Sequence, residues 1–293
     1  MDIQVVKSSA STAFPIDALA RPAYLMCPPK FYEVAYVINP WMIGNLHSSS
    51  QSGATKQWEN LYSILSKMAD IELIHPGEGS PDMVFSANAG LERAGTVVLS
   101  RFFHPERQAE EQYFRRWFHD AGYKIVELPR GIFFEGEGDA LFSMDGSRLW
   151  VGYGQRTSRS SHQYLAQAWG VEVISLHLID PYFYHLDTCF APLADDYIMY
   201  YPYAFDAISI ANIEAFYPKE KRIVVTYSDA PHFACNAINI GGTIILNSAS
   251  RELTLALETA GFKVVVIALT EFLKAGGAAK CLVMKLGLRI NKN

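Results

Sequence analysis

The 293-residue chain has no run of eighteen apolar residues, no CxxC pair, no HExxH or HxH cluster and no block of lysines or arginines. Each absence removes a class of protein. Without a long apolar run no transmembrane helix is indicated. Without a basic block, at a net charge of −5, nucleic acid is not expected as a main partner. The four cysteines, Cys27, Cys189, Cys235 and Cys281, lie too far apart in sequence for a zinc finger or a disulfide framework, which fits a reducing, cytoplasmic setting. With eight histidines equally scattered, no metal or other cofactor is expected. The first twenty residues lack the apolar core of a signal peptide and read as a loose, disordered arm. Charged residues make up only 19% of the chain against 50% hydrophobic, so a large core can be buried.

What is present is a repeat. Asn88, Glu135, His185, Asn236 and Cys281 fall at one position of a unit about fifty residues long, separated by 47, 50, 51 and 45 residues. Each follows a helix-like stretch, a Gly or polar break and an apolar strand. In the first unit Trp58, Leu61, Leu65 and Met68 have helical spacing, and strands are expected over 71–74 and 96–100. The second has a helix over 106–121, Gly122 as its stop, a strand over 124–128 and a hairpin turn at Asp145-Gly146. The later units follow suit, with strands over 171–176, 196–201, 222–227, 236–240, 243–247, 263–269 and 280–286. The fifth unit lacks a final strand, which 23–27 near the N-terminus would supply, closing a ring. An ordinary open α/β sheet would show the same alternation, but a pure scaffold has no need of polar, chemically useful residues in a shared register.

Those residues suggest covalent catalysis. Cys281 follows a Gly/Ala-rich loop, 275–279, whose lack of bulk would let a substrate approach the sulfur, and Lys280 beside it would favour the thiolate. The ordinary fate of such a cysteine is burial in a core. His185 and Asp187 stand at strand spacing and would face the same way, the acid raising the basicity of the histidine. Glu135, Glu137 and Asp139 alternate with glycines, a density of acids that calls for a bound cation, for which a guanidinium is suited. Arg107 and Arg156 sit at element boundaries, where a two-pronged donor would hold a carboxylate. The polar segment 40–55 reads either as a lid or as a tolerated surface loop.

With Pro81-Asp82-Met83-Val84-Phe85, Glu135-Gly136 to Asp139, His185-Leu186-Asp187 and the late Cys281 in this order, the chain resembles the guanidine-modifying enzymes of the pentein superfold. These include arginine deiminase, dimethylarginine dimethylaminohydrolase, amidinotransferases and arginine dihydrolase. The likeness covers residues 21–286. It implies an α/β fold, a pseudo-fivefold propeller of five ββαβ blades with the active site in the central channel, and one catalytic domain over 21–293. It further implies that Cys281 attacks a guanidinium carbon, that His185 serves as acid and then base, and that Glu135 and Asp187 meet the cation. Arg107 and Arg156 would hold the substrate carboxylate, and Asp82 would make a substrate contact. The room around Leu25, Phe85 and Asn88 would decide whether N-methyl groups are admitted.

One departure guides the expected reaction. The deiminases and dimethylarginine hydrolases carry an acid where this chain has Asn88. An amide both donates and accepts, so it could hold a guanidinium and then a ureido oxygen, keeping citrulline for a second attack. The resemblance then implies arginine dihydrolase, with dimethylarginine hydrolase or arginine deiminase as the alternative. An amidinotransferase or a non-catalytic binding ring is further off. The partner is a small molecule, arginine or a methylated arginine; a homo-oligomer is compatible with the sequence.

Overall fold

Five small sheets carry the chain, each built by the same sequence of moves. In the computed structural model, which describes residues 5–6 and 21–287, Gly90–Arg93 pairs antiparallel with Thr96–Leu99. The helices Pro105–Gln108 and Glu110–Asp120 then return the chain so that Lys124–Val126 runs parallel to Thr96–Leu99. The same ββαβ order recurs for Ala140–Phe142, Arg148–Tyr153 and Glu172–His177, for Phe190–Leu193, Tyr197–Tyr200 and Arg222–Val224, and for Ile238–Ile240, Thr243–Leu246 and Lys263–Val266. The fifth sheet joins the two ends of the domain. Met284–Leu286 pairs antiparallel with Ala23–Met26, which runs parallel to Asp70–Leu73. The expected completion of the last unit by the N-terminal strand is therefore observed.

The local reasons are ordinary ones. Trp58, Leu61 and Leu65 turn one face of the helix Gln51–Leu65 inward, and the Ser50 side chain caps it by accepting from Gly53 N–H at 3.1 Å. Phe114 and Phe118, four apart, do the same for Glu110–Asp120. The helix expected over 106–121 is instead interrupted at Ala109, where its first turn carries Arg107 into the interior. Residues 288–293 and all of 1–20 except Val5–Val6 lie outside the described residues, so the expected disorder of the arm falls there. Val5–Val6 pairs antiparallel with Val173 and Ile174.

The register residues are not on strands, as the 236–240 and 280–286 readings had it. Each sits in a tight turn just before the first strand of its hairpin: Asn88 within Ser86–Ala89, Glu135 and His185 immediately before Gly136–Gly138 and Leu186–Thr188, Asn236 ahead of Ile238, and Cys281 within Lys280–Leu282. Side chain to backbone hydrogen bonds link these turns into a closed circuit. Asn88 Nδ2 donates to Glu135 O (3.1 Å), Leu186 N to Asp139 Oδ1 (3.1 Å), Asn236 Nδ2 to Asp187 O (3.2 Å), Cys281 N to Asn236 Oδ1 (3.1 Å), and Ser86 Oγ to Leu282 O (2.9 Å). The five units thus converge on one point, held there by Asn88, Asn236, Asp139 and Ser86, each of which satisfies a buried backbone group of a neighbouring turn.

Candidate active site

Cys281 is held from three sides. Asn236 accepts from its backbone N–H and donates to its sulfur (Nδ2 to Sγ 3.0 Å), and the sulfur lies 3.4 Å from Asp187 Oδ2. Burial and the adjacent Asp187 push the thiol well above its ordinary range, so the resting cysteine is protonated. The expected help from Lys280 takes another form: its ammonium points away, to Glu137 Oε2 at 2.6 Å. The loop's lack of bulk serves both access and packing: Ala275 and Gly277 line the cavity together with Cys281. A Cβ on Gly277 would lie 2.4 Å from the Phe85 ring, and Gly276, at φ +83°, sits under the Tyr184 hydroxyl, which donates to its carbonyl (2.7 Å). Both glycines allow close packing, and Gly277 also faces the cavity.

His185 takes its acid from another unit. Its Nε2 is 2.7 Å from Glu135 Oε2, and that carboxylate also receives Arg156 Nη1 (3.2 Å) and Phe103 N–H (3.1 Å). Burial by itself would raise Glu135, but the Arg156 guanidinium and then His185 hold it far below the usual carboxylate range. Asp187 is not the partner of His185. The two are joined by a turn, not a strand, so the two-residue spacing does not align them, and Asp187 faces the thiol. Burial pushes Asp187 up to about 7 against the opposing charge of Lys280, and its Oδ1 has no hydrogen-bond partner.

The crowd of acids at 135–139 is resolved by resident groups: Glu135 by Arg156 and His185, Glu137 by Lys280, and Asp139 by Thr157 Oγ1 (2.7 Å) and the Leu186 N–H. All three are buried. Arg107 and Arg156 are likewise engaged. Arg107 forms a two-pronged pair with Glu110 (2.9 and 2.8 Å) and donates to Asn88 Oδ1 (2.8 Å), while Arg156 reaches Ile38 O (2.8 Å).

Asp82, Phe85, Asn88, Arg107, Arg156, His185 and Cys281 line one cavity. Leu25, expected among them, does not; it is fully buried in the sheet between Ala23 and Met26, and only its carbonyl is used, by Ser86. Glu135 and Asp187 stand immediately behind the lining. Of the roof, formed by Ile38, Asn39 and Met42, sequence reasoning missed Ile38 and Asn39, while Met42 belongs to the segment 40–55 read as a lid or a surface loop. There the Asn39 side chain accepts from Trp41 N–H and Met42 N–H and donates to Ala275 O, and Tyr36 donates to Asp82 Oδ2 at 2.9 Å. Asn-Pro at 39–40 was a readable turn signal. Asp82 Oδ1, buried and unpartnered, is directed to the same interior. Among the described residues, no three His, Cys, Asp or Glu side chains are grouped to hold a metal ion.

The ionisation of Asp187 gives a stability prediction. Its folded-state value of about 7 lies above the roughly 3.9 of an unfolded aspartate, so stability falls as pH rises from about 4 through 7. Asp187→Asn is expected to raise stability at pH 8 by on the order of 1–3 kcal/mol and to have little effect at pH 4. Thermal melts of both proteins at the two pH values test this; equal shifts at both would contradict it.

A ring of turns that brings a buried thiol and an acid-held histidine to one cavity has the groups that covalent catalysis calls for. The family follows from comparison. A family model described as N,N dimethylarginine dimethylhydrolase, eukaryotic, matches residues 39–288, and the chain belongs to that family. The bifunctional arginine dihydrolase/ornithine cyclodeaminase ArgZ of Synechocystis is 55% identical over 262 residues, 89% of this chain and 37% of its own length. The chain therefore spans little more than a third of that relative. N(G),N(G)-dimethylarginine dimethylaminohydrolase of Mycobacterium tuberculosis is 39% identical over 264 residues, 90% of this chain and 85% of its own. The solved N-terminal domain of ArgZ with substrate bound has a TM-score of 0.89 at 55% identity, covering 90% of this chain and 97% of that one.

Proposed function

We propose that the chain hydrolyses the guanidino group of arginine through a covalent bond to Cys281, in two rounds, giving ornithine, carbon dioxide and two ammonia. The observation that carries this reading is the meeting of a buried, protonated thiol with an unsatisfied carboxylate oxygen of Asp187 and another of Asp82, around a cavity lined by two arginines. A guanidinium supplies the missing donors, and its charge offsets the repulsion that keeps the thiol protonated. We read the five sheets as the blades of a propeller and the cavity as the mouth of its central channel.

In this scheme the Cys281 sulfur attacks the guanidinium carbon and the departing amine takes a proton from His185. Glu135 engages Nε2, which leaves Nδ1 as the nitrogen that moves protons. Water deprotonated by the same nitrogen then opens the thiouronium intermediate. Asn88 distinguishes one round from two. In the unliganded site its amide is committed to Glu135 O and to Arg107, so holding a ureido oxygen requires an exchange of partners. A solved structure of ArgZ with an asparagine changed to serine holds a covalent reaction intermediate. That asparagine and the mutated cysteine of the same relative are as far apart in sequence as Asn88 and Cys281.

The cavity leaves room for little more than one water, so entry of arginine requires the roof over 35–42 to lift. A dimethylarginine hydrolase is the second reading, favoured by the family match. The four cysteines are free thiols, in keeping with a reducing cytoplasmic location. The deciding experiment is product analysis with L-arginine. One ornithine and two ammonia per arginine are expected; citrulline as the end product would make the enzyme a deiminase, and turnover of dimethylarginine alone would favour the second reading.

A further inference from the structure

The bond between His185 and Glu135 joins side chains from two successive turns, and that bond alone does not fix how the turns stand to each other. A buried hydroxyl behind them does. Thr157, 3% exposed, follows Arg156 beyond the strand Arg148–Tyr153. Its Oγ1 accepts from Glu135 N–H (3.1 Å) and donates to Asp139 Oδ2 (2.7 Å). The other oxygen of Asp139 accepts from the N–H of Leu186 (3.1 Å), the residue after His185. One hydroxyl thus links the backbone of Glu135, through Asp139, to the backbone beside His185. The residues flanking Thr157 lie along the same stretch. Arg156 Nη1 donates to Glu135 Oε2 (3.2 Å), while Ser158 N–H donates to Phe133 O (2.9 Å) and Ser158 Oγ accepts from Phe133 N–H (3.0 Å). Arg156 and Thr157 therefore grip Glu135 at its carboxylate and at its amide. The turn between Glu135 and Asp139 also lies against the imidazole, since a Cβ on Gly138 would be 3.3 Å from His185 Nδ1.

We propose that Thr157, which lies outside the cavity lining, is a positioning residue: by tying the two turns together through Asp139, its hydroxyl sets the contact between Glu135 Oε2 and His185 Nε2. Removing the hydroxyl takes a partner from the Glu135 N–H and from Asp139 Oδ2, both buried, and the turns relieve that loss only by shifting. A hydrogen bond to an ionised carboxylate is short and directional, so a shift of the turns by a fraction of its length misaligns the imidazole.

A hydroxyl that only satisfied a buried carboxylate would lower stability when lost and leave His185 as it was. The two roles separate in the long-range proton–nitrogen NMR spectrum of the histidines, with His185→Gln assigning the signal, and in the kinetics with arginine. Thr157→Val is expected to move the His185 Nε2–H proton toward that of a solvent-bonded imidazole. It should also lower kcat about 10- to 100-fold with KM held within about threefold, because the cavity lining is untouched. Thr157→Ser, which keeps the hydroxyl, should restore both. An unmoved Nε2–H signal, an effect confined to KM or to melting temperature, or a Thr157→Ser protein that behaves like Thr157→Val would overturn the proposal. Should Thr157→Val fail to fold, Thr157→Ala, which sets no apolar methyl against Asp139, decides by the same readings. The inference rests on His185 as the group that moves protons in the proposed reaction. A wild type that leaves arginine unchanged would remove that reaction, and the Nε2–H signal then decides for Thr157 by itself.

Discussion

Cys281→Ser is expected to lower the release of ornithine and ammonia from arginine by at least about 10⁴-fold, with the fold retained. The substitution is nearly isosteric and keeps the backbone bond to Asn236 and a polar atom facing Asp187. Its melting temperature should therefore stay close to that of the wild type. What changes is the attacking atom. A thiol, even raised by burial and by Asp187, is far more acidic than a serine hydroxyl, so an arriving guanidinium brings the sulfur to its thiolate while the hydroxyl in its place stays neutral. Turnover within tenfold of wild type would remove Cys281 from the chemistry and leave Asp187 and His185 to activate water directly.

Glu135→Ala should be the most destabilising single change in the site. Glu135 is fully buried and neutralises Arg156 while engaging His185, so its loss strands a buried guanidinium beside the ring. Breaking a buried pair in this way costs about 3–5 kcal/mol, roughly 6–20 °C in melting temperature for a domain of this size. Activity should disappear with it, because His185 loses the group that fixes its orientation. The sign with pH is opposite to that of Asp187. Glu135 is held below the unfolded value of about 4.3, so its contribution is complete above that pH and is lost as pH falls toward its folded value. The difference between wild type and Glu135→Ala should therefore be constant from pH 6 to 8 and shrink below about 4. A difference that grows on acidification would contradict the assigned ionisation.

The residues that carry these expectations were legible to different degrees. Helices, strands and the repeat are written in spacings of a few residues: Trp58, Leu61 and Leu65 declare an inward face whatever lies opposite, and five polar residues in one register declare a common centre. Convergence of Cys281, His185 and Glu135 was therefore within reach of the sequence, as was the family, through the order of four motifs. Partner choice was not. His185 pairs with Glu135, fifty residues away, rather than with Asp187, two residues away, because a tight turn replaces the strand that would have aligned the neighbours. The Gly276-Gly277 pair signalled closeness without saying to what, and only the tertiary structure shows Phe85 and Tyr184 above it. Likewise Lys280 adjoins Cys281 in sequence but spends its charge on Glu137, across the circuit of turns. Periodicity is a local property that each segment carries alone; which charge meets which is decided only when five distant turns are brought within hydrogen-bonding distance.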